Sequence, residues 1–119
     1  MLDLETEPIA VTGDPSWLQQ ALLALVDNAV KHGGGERIAI TVDQDGADAI
    51  ATVEDDGSGV PADALPRLFD AWYSPAASTR GAGLGLAVAR WVAEAHGGSI
   101  AAENVRPSGL KVTLRVPAA

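Results

Sequence analysis

Gly109-Leu110-Lys111-Val112-Thr113-Leu114-Arg115-Val116 alternates without a break, with Leu110, Val112, Leu114 and Val116 on one side and Lys111, Thr113 and Arg115 on the other. Successive side chains of a strand point to opposite faces, so this stretch describes a sheet with one face buried and one wet. The buried face needs a cover. Just upstream, Ser99 to Val105 reads as the hairpin partner. Before it, Leu84 to His96 reads as a helix with Val88, Ala89, Val92 and His96 near one face, ended by Gly97-Gly98. Glu36 to Asp43 alternates through Ile38, Ile40 and Val42, turns at Asp45-Gly46 and returns as Ala47 to Val53, a second hairpin. A first helix begins after Gly13, with Asp14 as N-cap and Pro15 at the first helical position, preceded by a short strand from Ile9 to Thr12. Its Leu18, Leu22, Leu25 and Ala29 recur at helical spacing until Gly33-Gly34-Gly35. The order strand, helix, hairpin, loop, helix, hairpin predicts an α+β fold: a two-layer sandwich with helices on one face of a mixed, largely antiparallel sheet. Residues 1–119 read as a single domain.

Composition narrows the function. The chain of 119 residues carries 16 acidic and 8 basic side chains, a formal charge of −8. That charge repels a phosphate backbone and leaves no basic stripe, so nucleic acid is not expected as a partner. It repels free ATP as well, so a nucleotide site here requires local backbone donors, a cation and a metal ion. There is no cysteine, hence no disulfide or thiolate metal site, which is compatible with a reducing, cytoplasmic setting. Met1-Leu2-Asp3-Leu4-Glu5 has no basic region leading into an apolar run, and no apolar stretch is long enough to span a bilayer. No membrane contact by this segment is expected.

Three stretches carry chemistry. Asn28 lies deep in the first helix, where asparagine is a poor helix former, about 80° around the wheel from Leu18 and on the side shared by Lys31 and His32. An amide oxygen is a hard ligand suited to magnesium, a lysine meets a phosphate, and an imidazole lies against a base. The alternative is a boundary asparagine bonded to backbone beside a solvated lysine. Asp27 points about 180° from Leu18 and is assigned no role. Asp55-Asp56-Gly57-Ser58-Gly59 leaves a strand directly, where the chain turns and exposes a carboxylate beside bare peptide groups. A buried Asp accepting from an exocyclic amino group selects adenine over guanine. The alternative is a polar turn. Gly81-Ala82-Gly83-Leu84-Gly85-Leu86 joins a weakly periodic stretch to a helix start, where free N–H groups attract anions. It is neither a dinucleotide fingerprint, since no strand precedes it, nor a P-loop, since it lacks the Gly-Lys-Ser/Thr ending.

Together these stretches resemble a known family. Asp27 to His32 resembles the N box, Asp55 to Gly59 the first glycine box, Phe69 the F box and Gly81 to Leu86 the second glycine box of bacterial sensor histidine kinases, in the same order and spacing. Gly13-Asp14-Pro15 and His96-Gly97-Gly98 are also similar to the kinases, so the resemblance covers nearly the whole chain. It implies the Bergerat-type ATP-binding fold shared with DNA gyrase, a chaperone ATPase and mismatch-repair ATPases. By position it implies Asn28 as magnesium ligand, Lys31 as phosphate contact, His32 beside the adenine and Asp55 as the adenine-reading carboxylate, its loop shaped by Gly57 and Gly59. Gly81, Gly83 and Gly85, with Leu84 and Leu86 between and after them, correspond to the hinge of an ATP lid running from about Asp70 to Arg80. Arg80 is a candidate phosphate contact. Phe69 either anchors the lid or fills the core.

Some positions depart from the pattern. Ala24 stands where many kinases have Asn and the related ATPases a water-activating Glu, which disfavours a water-directed hydrolase. Leu110-Lys111 occupies a place often held by a hydroxyl residue near the adenine, and Trp72 one often held by Phe. The two histidines, His32 and His96, lack the setting of a phospho-acceptor; His96 reads as a packing or capping residue. The resemblance therefore implies a protein histidine kinase catalytic domain that uses ATP and magnesium. Its partner would be a dimerisation and histidine phosphotransfer domain upstream of Met1 in a longer parent, with a response regulator indirectly, and alone it would autophosphorylate poorly. The parent would be anchored to a membrane, if at all, through other segments.

Overall fold

The structure is a computed structural model that describes residues 2–6, 11, 13–32, 37–70 and 85–118. Five strands and two helices are formed: β1 (Leu2–Thr6), α1 (Pro15–His32), β2 (Ile38–Asp45), β3 (Asp48–Asp55), α2 (Gly85–Ala95), β4 (Ser99–Asn104) and β5 (Leu110–Pro117), with a short 3-10 turn at Leu65–Arg67. The strand order is β1-β2-β3-β5-β4. β1 runs parallel to β2 and every other pair is antiparallel, so the sheet is mixed and largely antiparallel as the sequence predicts.

The alternation of β5 is realised as a burial pattern. Leu110, Val112, Leu114 and Val116 are buried against the helices, while Thr113, in register with Thr52, lies in a row on the open face that includes Thr41. The Thr41 and Thr52 hydroxyls bond each other there. On the same face Arg115 donates to Asp48 at 2.8 Å and to Asp45 at 3.2 Å, tying β5 to the β2–β3 hairpin. These bonds, to Asp48 first and then Asp45, raise the Arg115 pKa above the ordinary arginine value.

α1 starts where the sequence says it should. Asp14 Oδ1 accepts the N–H groups of Ser16 at 2.9 Å and Trp17 at 3.2 Å, satisfying two of the orphan donors of a helix N-terminus. α2 ends in a pair of bonds, Gly98 N–H to Ala93 O at 2.8 Å and Gly97 N–H to Glu94 O at 3.0 Å, which occupy carbonyls the helix leaves open. The two helices run antiparallel, with Trp17 meeting Trp91 and Ala24 meeting Gly85 along the seam. The indoles stand edge to face, with centroids 5.2 Å apart and planes at 71°.

Two expectations change. The buried stripe of α1 is Ala21, Leu25 and Ala29 with Leu18 partly buried, and Leu22 is exposed. On α2, Leu86, Ala89, Val92 and Ala93 face the core and Val88 is exposed. Around the expected strand from Ile9 to Thr12, only Val11 is described, as an isolated bridge to Ala118; positions 9, 10 and 12 lie outside the described residues. A strand at Leu2–Thr6 precedes it. Leu25 and Val92 are the largest side chains removed entirely from water, and each such burial contributes about 1.5–3 kcal/mol.

Candidate functional site

β3 presents Ala49, Ala51 and Val53 to the helices, and by the same two-residue period its last residue, Asp55, points inward too. Asp55 is 6% exposed and is the buried charged residue among those described. Burying a carboxylate is costly unless it finds hydrogen bonds, and Oδ1 accepts the Gly57 N–H at 2.9 Å. The sharp turn after the strand therefore returns a backbone donor to the carboxylate that begins it.

The following loop is fastened at several points. Asp56 exchanges bonds with Arg37, its Oδ1 accepting the Arg37 N–H at 2.9 Å and its own N–H donating to the Arg37 carbonyl at 3.3 Å. Ser108 Oγ donates to the Asp56 carbonyl at 3.4 Å. Gly59 sits at φ 73°, a left-handed conformation that glycine adopts without the Cβ clash. Val60 is bonded on both its N–H and its carbonyl by the side chain of Asn104. Asp56 and Asn104 leave no local signal in the sequence, because their partners Arg37, Ser108 and Val60 lie in connections far along the chain.

Asn28 is half-buried in α1, one residue before Ala29, which packs in the same core cluster as Val53 and Leu110. Lys31 and His32 form the last turn of α1; their side chains lie outside the described residues. Gly85 opens α2, and a Cβ built on it would meet the Ala24 Cβ at 3.9 Å, so the end of the glycine run lies one helical turn from Asn28 on α1. Arg80, Gly81, Gly83 and Leu84, and positions 71–80 of the expected lid, lie outside the described residues. Leu86 and Phe69 are 8% exposed and belong to the hydrophobic core.

Lys111 projects from the open face in register with Glu54 and Glu103, whereas Leu110 is buried at the core end of β5. A cleft of about 550 Å³ lies over the helix seam, lined by residues including Leu23, Ala24, Asp27, Gly85 and Val88. Asn28 and Asp55 are not among its walls.

This arrangement, an inward carboxylate at the end of a strand, a fastened glycine turn and a glycine opening the second helix, has relatives. Residues 13–119 match the family described as histidine kinase-, DNA gyrase B- and HSP90-like ATPase, and the chain belongs to that family. It is 41% identical over 107 residues to the signal transduction histidine-protein kinase AfsQ2 of Streptomyces coelicolor, covering 87% of this chain and 20% of that protein. It is 39% identical over 106 residues to the sensor histidine kinase GtrS of Pseudomonas aeruginosa, covering 88% of this chain and 22% of that one. The chain thus spans about a fifth of these relatives' length. Among solved structures, a mycobacterial sensor histidine kinase, MprB, superimposes with a TM-score of 0.88 at 28% identity, covering 98% of this chain and 82% of that one. Full-length ShkA in complex with AMPPNP superimposes with a TM-score of 0.82 at 29% identity, covering 99% of this chain and 26% of that one. No described helix is long and apolar enough to cross a membrane.

Proposed function

We propose that the chain is the single catalytic, ATP-binding domain of a longer sensor histidine kinase. In this reading it binds Mg-ATP and donates the γ-phosphate to a histidine on a separate dimerisation domain, and a response regulator is served indirectly. The observation that carries this is Asp55, a carboxylate buried at the end of β3 with its Oδ1 bonded to the Gly57 N–H. A carboxylate has acceptor sites beyond that one bond. An adenine amino group fills one of them, whereas a guanine carbonyl would face it oxygen to oxygen.

The donor set fits the nucleotide and its metal. Magnesium keeps several waters and takes few protein ligands beside substrate phosphates, so the amide oxygen of half-buried Asn28 would serve as a protein ligand to it. Bound magnesium would supply neutralisation of the phosphate charge. Lys31 and Arg80 contact phosphates, His32 flanks the base, and Gly57 and Gly59 shape the pocket. Gly85 and Leu86 offer backbone N–H groups at the start of α2, and Gly81, Gly83 and Leu84 would contribute theirs to the same phosphates. The chain's own contribution to phosphoryl transfer is to orient the donor and stabilise charge. Ala24, apolar and packed on the core, offers water no general base, which favours transfer to a histidine over hydrolysis. We place the domain in the cytoplasm, with any membrane anchor elsewhere in the parent.

The test mixes this chain with labelled ATP and a separately produced dimerisation domain. Acid-labile label on the acceptor histidine supports the proposal. Binding without transfer points to a regulatory nucleotide-binding module, and steady phosphate release to an ATPase.

A further inference from the structure

Asn104 is the last residue of β4, an edge strand, and it is exposed. Its carboxamide nevertheless makes two bonds to a single residue 44 positions away. The Val60 N–H donates to Oδ1 at 2.9 Å, and Nδ2 donates to the Val60 carbonyl at 2.7 Å. A residue exchanging both its N–H and its carbonyl with one partner is the pattern of a hydrogen-bonded pair in an antiparallel ladder. Here a side-chain amide takes the place of the neighbouring strand's peptide groups, so the sheet edge reaches out to hold a loop. Gly59 packs against the same amide: a Cβ there would stand 2.5 Å from Asn104 Oδ1.

At its other end the loop is tied to Arg37 and Ser108 through Asp56. Residues 57–59 are therefore suspended between two fixed points, and within that span the Gly57 N–H bonds the Asp55 carboxylate. Releasing Val60 frees one fixed point, and the Gly57 donor that orients the carboxylate goes with it.

We propose that Asn104 is a positioning residue for nucleotide recognition, holding the Gly57–Val60 backbone so that Asp55 keeps the orientation that distinguishes adenine from guanine. The inference rests on the reading of Asp55 given above. Because Asn104 acts through the direction of the carboxylate, its loss falls on base discrimination and leaves phosphate contacts intact.

The test compares the whole chain with Asn104→Ala and Asn104→Asp by calorimetric titration with MgATP and MgGTP. Thermal midpoints and amide exchange at Val60 are measured in the nucleotide-free proteins. Aspartate keeps the acceptor for the Val60 N–H and replaces the donor with an oxygen facing the Val60 carbonyl, so it probes the pair at nearly unchanged volume. The wild type should prefer ATP, and both variants should lose roughly tenfold in ATP affinity, the scale of one to two neutral hydrogen bonds, with GTP affinity nearly unchanged. The ATP-to-GTP ratio should fall and the Val60 amide should exchange faster in Asn104→Ala. An unchanged ratio in either folded variant overturns the proposal, as does an equal loss for both nucleotides that tracks a lower thermal midpoint. Should alanine prevent folding, the aspartate variant decides alone. A wild type that binds no ATP defeats the reading of Asp55 and this inference together, a pattern distinct from a wild type that binds beside variants that bind equally well.

Discussion

His96 Nε2 accepts the backbone N–H of Asp14 at 3.1 Å, joining the end of the second helix to the start of the first across 82 positions. Since Nε2 accepts, the imidazole proton sits on Nδ1, which donates to the Val92 carbonyl at 2.8 Å. Asp14 meanwhile caps α1 with its carboxylate. Gly13-Asp14-Pro15 and His96-Gly97-Gly98, far apart in sequence, form one junction that locks the helix layer. Gly13 is part of it, because a Cβ there would stand 2.6 Å from His96 Nε2 and 3.2 Å from Leu18 Cδ1.

Gly13→Ala should therefore destabilise the fold by driving a methyl group into the imidazole, by about 1–3 kcal/mol. His96→Ala should cost about 1–2 kcal/mol through two lost bonds. In the double variant the alanine at position 13 meets space, so the effects should be less than additive by at least about 0.5 kcal/mol. Urea denaturation of the four proteins measures this. Strict additivity would mean that the two residues do not share the contact.

Asp14→Ala removes the cap of α1 and should lower stability by about 1 kcal/mol. Asp14→Ser, which also accepts from the first-turn N–H groups, should recover most of that loss in the same denaturation assay. Equal losses for alanine and serine would contradict the capping role.

Asp55→Asn places an amide in the buried position and should weaken ATP binding by roughly two orders of magnitude, as expected when a charged acceptor is lost in a desolvated site. Isothermal titration gives the affinity directly. Unchanged affinity would remove Asp55 from the site.

Asn28→Ala should abolish the tightening of ATP binding by magnesium while leaving weak metal-free binding in place. Titrations with and without the metal test this. If magnesium still strengthens binding by its wild-type factor, the metal ligand lies elsewhere.

Arg115 is raised above the ordinary arginine value by its bonds to Asp48 and Asp45. A basic group with a raised folded pKa contributes stability at every pH below its unfolded value, and loses that contribution only as pH climbs through the folded value. The window is strongly alkaline, so Arg115→Gln should lower the thermal midpoint by the same small amount at about pH 6 and about pH 8, and less at high salt. A difference that grew between those two conditions would contradict the assignment.

Much of this was legible in the sequence, and the exceptions have physical causes. β5 was readable because its alternation is unbroken, and the start of α1 because Asp14-Pro15 is a local signal whose bonds close within a turn. Leu22 is exposed despite its helical spacing, because periodicity counts large apolar residues while the tightly packed face of α1 is made by Ala21 and Ala29 beside Leu25. The strand Leu2–Thr6 pairs in parallel with β2, a partner reached without a hairpin turn, and its five residues include Asp3 and Glu5. Asp55 is legible from its setting at a strand end, whereas Asn104 is not, because its bond to Val60 exists only once the fold has brought together two residues 44 positions apart.

The edge-to-face pair of Trp17 and Trp91 makes the helix seam observable from outside. Indoles 5.2 Å apart at 71° couple their electronic transitions, so the pair should give a near-ultraviolet circular dichroism band whose sign and size follow the angle between α1 and α2. With Trp72 replaced by phenylalanine, that band becomes a goniometer for the seam. The far end of the same seam is where Gly85 meets Ala24, so a twist introduced at the glycine run would be read as ellipticity at the aromatic end.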